Sequence, residues 1–565
     1  MSSILLAIIT FVAYVLAYKF YCGHLSKKIF KLDPKRPTPA HEFQDGVDFV
    51  PTKRHILFGH HFTSIAGAGP IVGPAIAVIW GWLPAFLWVI IGSIFMGAVH
   101  DLGALVISAR NKGRSIGDVT SELIGPRARK LFLFLIFFAL LIVIAVFALV
   151  IGVLFMSYPE TVLPVWIEMP IAIALGFYIY KRTGSTLIAS ILALAVMYLF
   201  VYIGTFVPVK MPPFIMDSVI LSWVVVLMVY AYIASILPVW VLLQPRDYIN
   251  SHQLFVGLGL LYLGLFVARP EIVAPAVNAN PEGAPSMLPF IFITIACGAI
   301  SGFHSLVSSG TTVKQLDTEK DIPFIGYGSM LGEGVLSVMA ILACTAGFAT
   351  LGEWEMHYAS WNSAAGLSAK IGAFVEGGAT FMGSIGFSHE IAAALVAVLV
   401  ISFCATTLDT ATRLQRYVVA ELADTYKLKP LTGRHPATLI AVGTAFALSM
   451  INGGKGGMIL WPLFGAVNQL LAGLSLLAIT MYLVRIRKPV YYAFIPMIFM
   501  LVFSSWAMLI NLKGFIEAGN WLLIVFGSGI IVLELWLVLE ALLALKITRR
   551  EGAGGVSGYN MEEVD

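Results

Sequence analysis

The sequence predicts an all-α polytopic membrane protein of about fifteen transmembrane helices, and three observations predict it. Of 565 residues, 59% are hydrophobic and only 12% charged, with a mean hydropathy of +0.90; a soluble domain carries about 25% charged residues. Apolar runs long enough to cross a bilayer recur along nearly the whole chain. The basic residues also segregate. With 23–59 placed in the cytoplasm and the runs alternating from there, 29 of the 35 lysines and arginines fall inside. Lys210, Arg269, Lys370, Lys455 and Lys513 fall outside, and Lys19 lies within a span. This positive-inside pattern puts the N-terminus outside and the C-terminal tail in the cytoplasm.

In chain order, 4–22 is an apolar run with no basic stretch before it and no small-residue cleavage site after it. It reads as a retained anchor helix (1–23) rather than a signal peptide, and Lys19 can snorkel to the headgroups. A basic cytoplasmic linker, 24–59, follows. Further runs fall near 60–83, 84–110, 131–157, 163–180, 184–207, 217–243, 253–268, 289–310, 327–351, 390–410, 436–452, 458–484, 489–511 and 521–545. Residues 411–435 read as a cytoplasmic connection, 415–429 forming an amphipathic helix on the inner surface. Residues 436–545 supply additional C-terminal helices. In the cytoplasmic tail, 546–565, the stretch 551–565 reads as disordered. Of two long external segments, 269–288 is rich in Pro and Ala. The other, 352–387, carries Trp354 and Trp361 and either folds over the outer mouth or is a plain surface loop.

Several function classes drop out. Cys22, Cys297, Cys344 and Cys404 form no CxxC pair and no metal-ligand spacing, so no disulfide framework or zinc site is implied. The histidines, among them His60, His61, His100, His304 and His389, are scattered without an HExxH motif. No phosphate-binding GxxxxGK[ST] loop occurs, so ATP hydrolysis is not expected. The net charge of +4 is no nucleic-acid signal. An enzyme, a resident metal and a cofactor are not expected, and no motif sets the oligomeric state. The expected partners are the lipid bilayer and a small-molecule substrate.

The stretch from His60 to Pro74 sits where a spanning helix belongs, yet Gly67, Gly69, Pro70, Gly73 and Pro74 are poor continuous-helix formers. Backbone freed at membrane depth persists only when it is buried in protein or lines a polar cavity. A broken span therefore points to a substrate or ion site. The plainer alternative is a kinked helix packed closely through its glycines. Ser64, Gly67, Ala68 and Gly69 are the substrate-binding candidates here, their N–H groups and a half-helix dipole suiting an anion.

Run 217–243 adds Tyr230 and Ser235, with Pro238 permitting a second break. Run 289–310 leads into His304, Ser308, Ser309 and Thr312; the last three are spaced to share a helix face and either bind a cation or hydrogen-bond between helices. Asp101, beside His100 and about two turns from the inner end, is an intramembrane acid and hence functional by default. It couples protons, holds a gating helix, or pairs with His100 or a cytoplasmic Arg. Glu333 is a coupling acid or a helix-end carboxylate. Asp409 and Arg413 stand four apart, an ion-pair spacing suited to an inner gate or an anchor. No intramembrane Arg is visible to neutralise a substrate carboxylate, so backbone groups would have to do it; a peptide would need a carboxylate for its amine.

At Gly59-His60-His61-Phe62-Thr63-Ser64-Ile65-Ala66-Gly67-Ala68-Gly69-Pro70, Met96-Gly97-Ala98-Val99-His100-Asp101, Arg114-Ser115-Ile116-Gly117-Asp118 and Thr406-Thr407-Leu408-Asp409-Thr410-Ala411-Thr412-Arg413 the sequence resembles the carbon starvation protein A family, over about 20–540. The resemblance implies a bacterial inner-membrane transporter active under carbon starvation, importing peptides, or pyruvate by proton symport. It implies a LeuT-like fold of the amino acid/polyamine/organocation type: a five-plus-five inverted-repeat core with extra helices, the repeats at 60–207 and 217–410. By the same analogy, Ala66, Gly69, Ser308, Ser309 and Thr312 would form a sodium-like ion site. The coupling ion is H+ or Na+. The competing reading is a membrane nutrient sensor without transport.

Overall fold

The computed structural model describes residues 2–181, 186–364, 366–451 and 456–553, and among these the regular structure is helical apart from two isolated bridges, Ser2 to Glu271 and Thr52 to Leu316. Arg182, Lys455 and the end of the tail fall outside the described residues; the last helix continues to Ala553.

Helix α1 is the anchor, Ser3–Ile29. The next span is α2, Arg54–Ile65, and α3, Gly69–Ala77, bent 43° at a break between them. Then come α4, Trp82–Arg110; a short α5, Ile116–Leu123; and α6, Pro126–Ser157, whose N-terminus has Pro126 in its first turn after Gly125 at φ 150°. Helices α7, Val162–Lys181; α8, Thr186–Phe206; α9, Val219–Ile236; and α10, Leu243–Ala268, follow. A second broken span is α11, Met287–Thr294, and α12, Gly302–Val307, continued by a π-turn, Ser308–Thr312. The chain ends with α13, Gly328–Ala346; α14, Leu367–Gly383; α15, His389–Thr425; α16, Arg434–Ser449; α17, Gly456–Arg485; α18, Tyr491–Glu517; and α19, Trp521–Ala553.

Among the described residues twelve helices are long and apolar enough to span a membrane, or up to 13 with the bent pair counted as one. The expected fifteen exceed this because 289–310 is broken into two short helices and because the helix at 436–452, α16, has only 16 residues. A second expectation fails at 411–435. Helix α15 runs unbroken for 37 residues, and Arg413 and Gln415 inside it are buried. The first turns of 411–435 pack inside the protein: Gln415 donates to the Phe137 carbonyl of α6 at 3.0 Å and Glu421 accepts from the Ser115 hydroxyl at 2.8 Å, while Asp424 and Lys427 stay exposed.

The central packing is α6 against α15. Around it each contact has a counterpart later in the chain: α2 on α10 matches α12 on α17, α9 on α6 matches α16 on α15, and α10 on α15 matches α17 on α6. Seven crossings from α2–α3 to α10 precede α11–α12, so the two broken spans cross in opposite senses. The break expected at Pro238 instead ends α9 before a separate span, α10. The second broken span starts at Met287, where Gly298 at φ 89° turns the chain between α11 and α12.

Candidate functional site

The two broken spans cross at their breaks. Ala66, at φ −79° and ψ 54°, leaves the helix, and the Gly67 N–H turns back to the Ile65 carbonyl at 2.9 Å. Glycine is needed on both sides of this turn. A Cβ on Gly67 would lie 2.6 Å from Thr407 Oγ1 of α15, and one on Gly69 would lie 2.5 Å from Cys297 Sγ in the other break. Pro70 in the first turn of α3 removes a donor where one would otherwise be orphaned. The end of α2 is tied to α15: Thr407 Oγ1 donates to the Ser64 carbonyl at 3.2 Å, and the Ser64 and Thr410 hydroxyls bond at 3.0 Å.

A cavity of about 580 Å³ opens on this crossing. Ala68 and Gly69 from one break and Ala296 and Cys297 from the other line it, with Phe147, Phe290 and Phe464 as aromatic walls. Its volume suits an organic ligand. Trp361 and Lys370, from the segment between α13 and α15, also line it. Trp361 packs against Trp80 with ring centres 5.3 Å apart and the rings tilted 40°, and Tyr358 donates to the Ala75 carbonyl at 2.7 Å. The segment 352–387 thus folds onto α3 instead of hanging as a surface loop.

Behind Cys297 lies a buried ionisable cluster. His304 Nδ1 is 3.1 Å from Asp101 Oδ2, and its Nε2 is 3.2 Å from Glu333 Oε2; the second contact lacks hydrogen-bond alignment. His100 Nδ1 is 2.8 Å from Asp101 Oδ1. All four side chains are fully buried. An imidazole between two carboxylates shares protons with both: protonated, it can donate to each; neutral, it leaves an unpaired carboxylate unless that acid is itself protonated. Cys297 Sγ, a His304 ring nitrogen and a Glu333 oxygen also lie within 4.8 Å of one another, so these three donors could hold a transition metal.

Away from the cavity the packing is closed by buried charge. Arg246 of α10 pairs with Asp409 of α15 and lies 3.3 Å from Glu168 of α7. It donates to Tyr230 OH at 2.7 Å, and Tyr230 donates to Asp409 at 2.6 Å. His60 Nδ1 meets Asp247 Oδ2 at 2.6 Å and His61 Nδ1 meets Thr312 Oγ1 at 2.9 Å. The linker before α2 joins in: Asp48 takes Arg413 at 2.7 Å and Arg416 at 2.9 Å. Burial alone would raise the Asp48 carboxyl, but Arg413, Arg416 and Lys314 hold it well below the ordinary range.

Of the sequence-predicted residues, Ala68 and Gly69 line the cavity, while Gly67, Ala66 and Ser64 form the break beneath it. Asp101, His100, His304 and Glu333 come together in the buried cluster. Other residues stand elsewhere than expected. Tyr230 belongs to the Arg246–Asp409 network rather than to the cavity, and Ser235 is buried with its hydroxyl unbonded, also outside the cavity lining. Asp409 and Arg413 do not pair with each other, because better-placed ions from α10 and the linker claim them. Of the two readings of Ser308, Ser309 and Thr312, hydrogen bonding between elements is what the side chains do here: Ser309 donates to the Ser305 carbonyl at 2.7 Å and accepts from the Ile116 N–H, and Thr312 meets His61. The π-turn widens the helix there and parts side chains that a regular helix would align. The hydroxyls that do meet the end of α2 are Thr407 and Thr410, and Ser308 has no hydrogen-bond partner among the described residues.

The sequence showed no intramembrane Arg, yet Arg246 lies in the candidate span α10 and is fully buried. Glu168, an acid within the run 163–180, was also missed, though the rule that singled out Asp101 applies to it equally. The signal for Arg246 was the polar stretch from Gln244 to Gln253, which α10 carries inside the protein.

Residues 2–507 match the family described as carbon starvation protein CstA. The chain is 36% identical over 561 residues to a peptide transporter CstA of Campylobacter jejuni, covering 89% of this chain and 79% of that one. It is 34% identical over 549 residues to the peptide transporter CstA of Bacillus subtilis, covering 90% of each. It is 31% identical over 591 residues to the pyruvate/proton symporter BtsT of Escherichia coli, covering 90% and 81%. Among solved structures, the manganese transporter of Eremococcus coleocola aligns with a TM-score of 0.49 at 12% identity over 89% of this chain and 99% of that one. MhsT in complex with L-phenylalanine aligns at 0.47 and 13%, over 81% and 99%.

Proposed function

The chain belongs to the carbon starvation protein CstA family, and on that premise we propose that it imports a small organic nutrient, an organic acid ahead of a peptide, across the bacterial inner membrane by proton symport. The observation that carries this reading is a shared wall. Cys297 lines the cavity on one side and stands with His304 and Glu333 on the other. Substrate in the cavity and a proton on the His304 cluster therefore act on the same break, which is what coupling requires. The pyruvate/proton symporter among the relatives favours the same ion and substrate.

The repeats of this reading are α2–α3, α4, α6, α9 and α10, then α11–α12, α13, α15, α16 and α17, with α7 and α8 inserted in the first. Alternating access would rock the broken spans against α6 and α15. The Asp48 clamp on Arg413 and Arg416 would be the cytoplasmic closure, with the cavity serving the opposite face.

The test is uptake of labelled pyruvate into liposomes carrying the pure protein, with pH and sodium gradients imposed separately. Uphill uptake under an inward proton gradient alone is expected. Uptake under sodium alone would move the coupling to the Ser64–Thr407–Thr410 junction. A dipeptide taken up where pyruvate is not would move the substrate to peptides, and no uptake of either would leave the sensor reading.

A further inference from the structure

Lys370 is a charge where the cavity has no other. It sits on α14, is 5% exposed, and lines the same cavity as Ala68 and Gly69. Among the described residues it forms no ion pair, and it is the sole charged side chain in the lining. Its Nζ lies 5.2 Å above the Trp461 ring, a contact that steadies an ammonium without neutralising it. Burial pushes the amine down to about 8, and no neighbouring carboxylate offsets this. A buried, unpaired lysine is costly. Nothing in the packing needs it, because an apolar side chain would fill the same place against Trp461.

A cavity with aromatic walls and one unneutralised cation complements a monoanion with a small apolar body. It offers little to a free ammonium: Glu333 and Asp101 lie behind Cys297 and are already engaged with His304. We propose that Lys370 is the counter-charge for the substrate's carboxylate, and that the cavity therefore selects monocarboxylates without an ammonium group over zwitterionic peptides. This rests on the transport reading, and it adds what that reading leaves open: the residue and the charge class it recognises.

The experiment is competition for labelled pyruvate uptake in proteoliposomes by unlabelled pyruvate, lactate, pyruvamide, a dipeptide and that dipeptide's C-terminal amide, for the natural protein, Lys370→Arg and Lys370→Met. If the natural protein takes up none of these, the transport reading itself fails. Given uptake, the acids should compete, and the amides and the zwitterionic dipeptide should compete weakly. Lys370→Met should raise KM by about ten- to a hundredfold, the worth of a charge-assisted hydrogen bond, with a smaller change in kcat and partial rescue by Lys370→Arg. An unchanged KM in Lys370→Met overturns the proposal. So does equally strong competition by acid and amide, and strong competition by the dipeptide alone shows a cavity built for peptides. Should Lys370→Met not fold, amine acylation of the natural protein reads the same contact: pyruvate should protect Lys370 but not the external Lys513. Equal labelling of Lys370 with and without pyruvate overturns it.

Discussion

Arg246 and Asp409 form an ion pair with neither side chain open to solvent, binding α10 to α15 beneath the first break. Tyr230 bridges the two, and Glu168 adds a second carboxylate. Removing one partner of such a pair leaves a buried uncompensated charge, at a cost of about 3–5 kcal/mol. Asp409→Leu should therefore lower the melting temperature of the detergent-purified protein sharply. Arg246→Met with Asp409→Leu should recover part of the loss, the residue reflecting Glu168. Melting curves of the single and double variants check this; equal loss in both would mean that the pair is not the main interaction of either residue.

His304→Gln and Glu333→Gln should both abolish proton-driven accumulation yet leave counterflow exchange of substrate at a measurable rate. Exchange needs the cavity but no net proton movement, so the two assays separate coupling from binding. Loss of both in a folded protein would assign the cluster to structure. Metal analysis of the pure protein belongs with this test. Stoichiometric metal lost in Glu333→Gln would assign Cys297, His304 and Glu333 to an ion instead of a proton.

Gly69→Ala places a methyl group 2.5 Å from Cys297 Sγ, so one break must move from the other. Overpacking of this kind costs about 1–3 kcal/mol. The expected outcome is uptake reduced by about tenfold or more, with the protein still folded. Cys297→Gly in the same chain should restore much of it; no rescue would mean that the strain falls elsewhere.

Asp48 sets a pH window. Its folded carboxyl is held below the ordinary value, so its contribution to stability is complete above the unfolded value of about 4 and is lost as pH falls further. The gap in melting temperature between the natural protein and Asp48→Asn should hold steady from pH 8 to about 5 and close below about 4. A gap that changes through neutral pH would contradict the assignment to Asp48.

By itself the sequence determined the class of the protein and the place of its first break. Hydropathy sums over long runs, and Gly67, Gly69 and Pro70 act on their own backbone, so both are local properties that need no partner. It also singled out Asp101, His304 and Glu333 one by one, since an ionisable group in an apolar run is anomalous wherever it points. The tertiary structure alone decided who meets whom. Arg246 read as a cytoplasmic cation until α10 carried it against Asp409, 163 residues away in the chain. Arg413 read as the partner of Asp409 at helical spacing until Asp48, 365 residues distant, took it. Lys370 read only as an external charge, and the packing of α14 is what brings it to the cavity. The second break moved from Pro238 to the turn at Gly298 for the same reason: a proline permits a helix to end, but whether the chain then crosses the membrane or returns into a cavity depends on packing against segments far away.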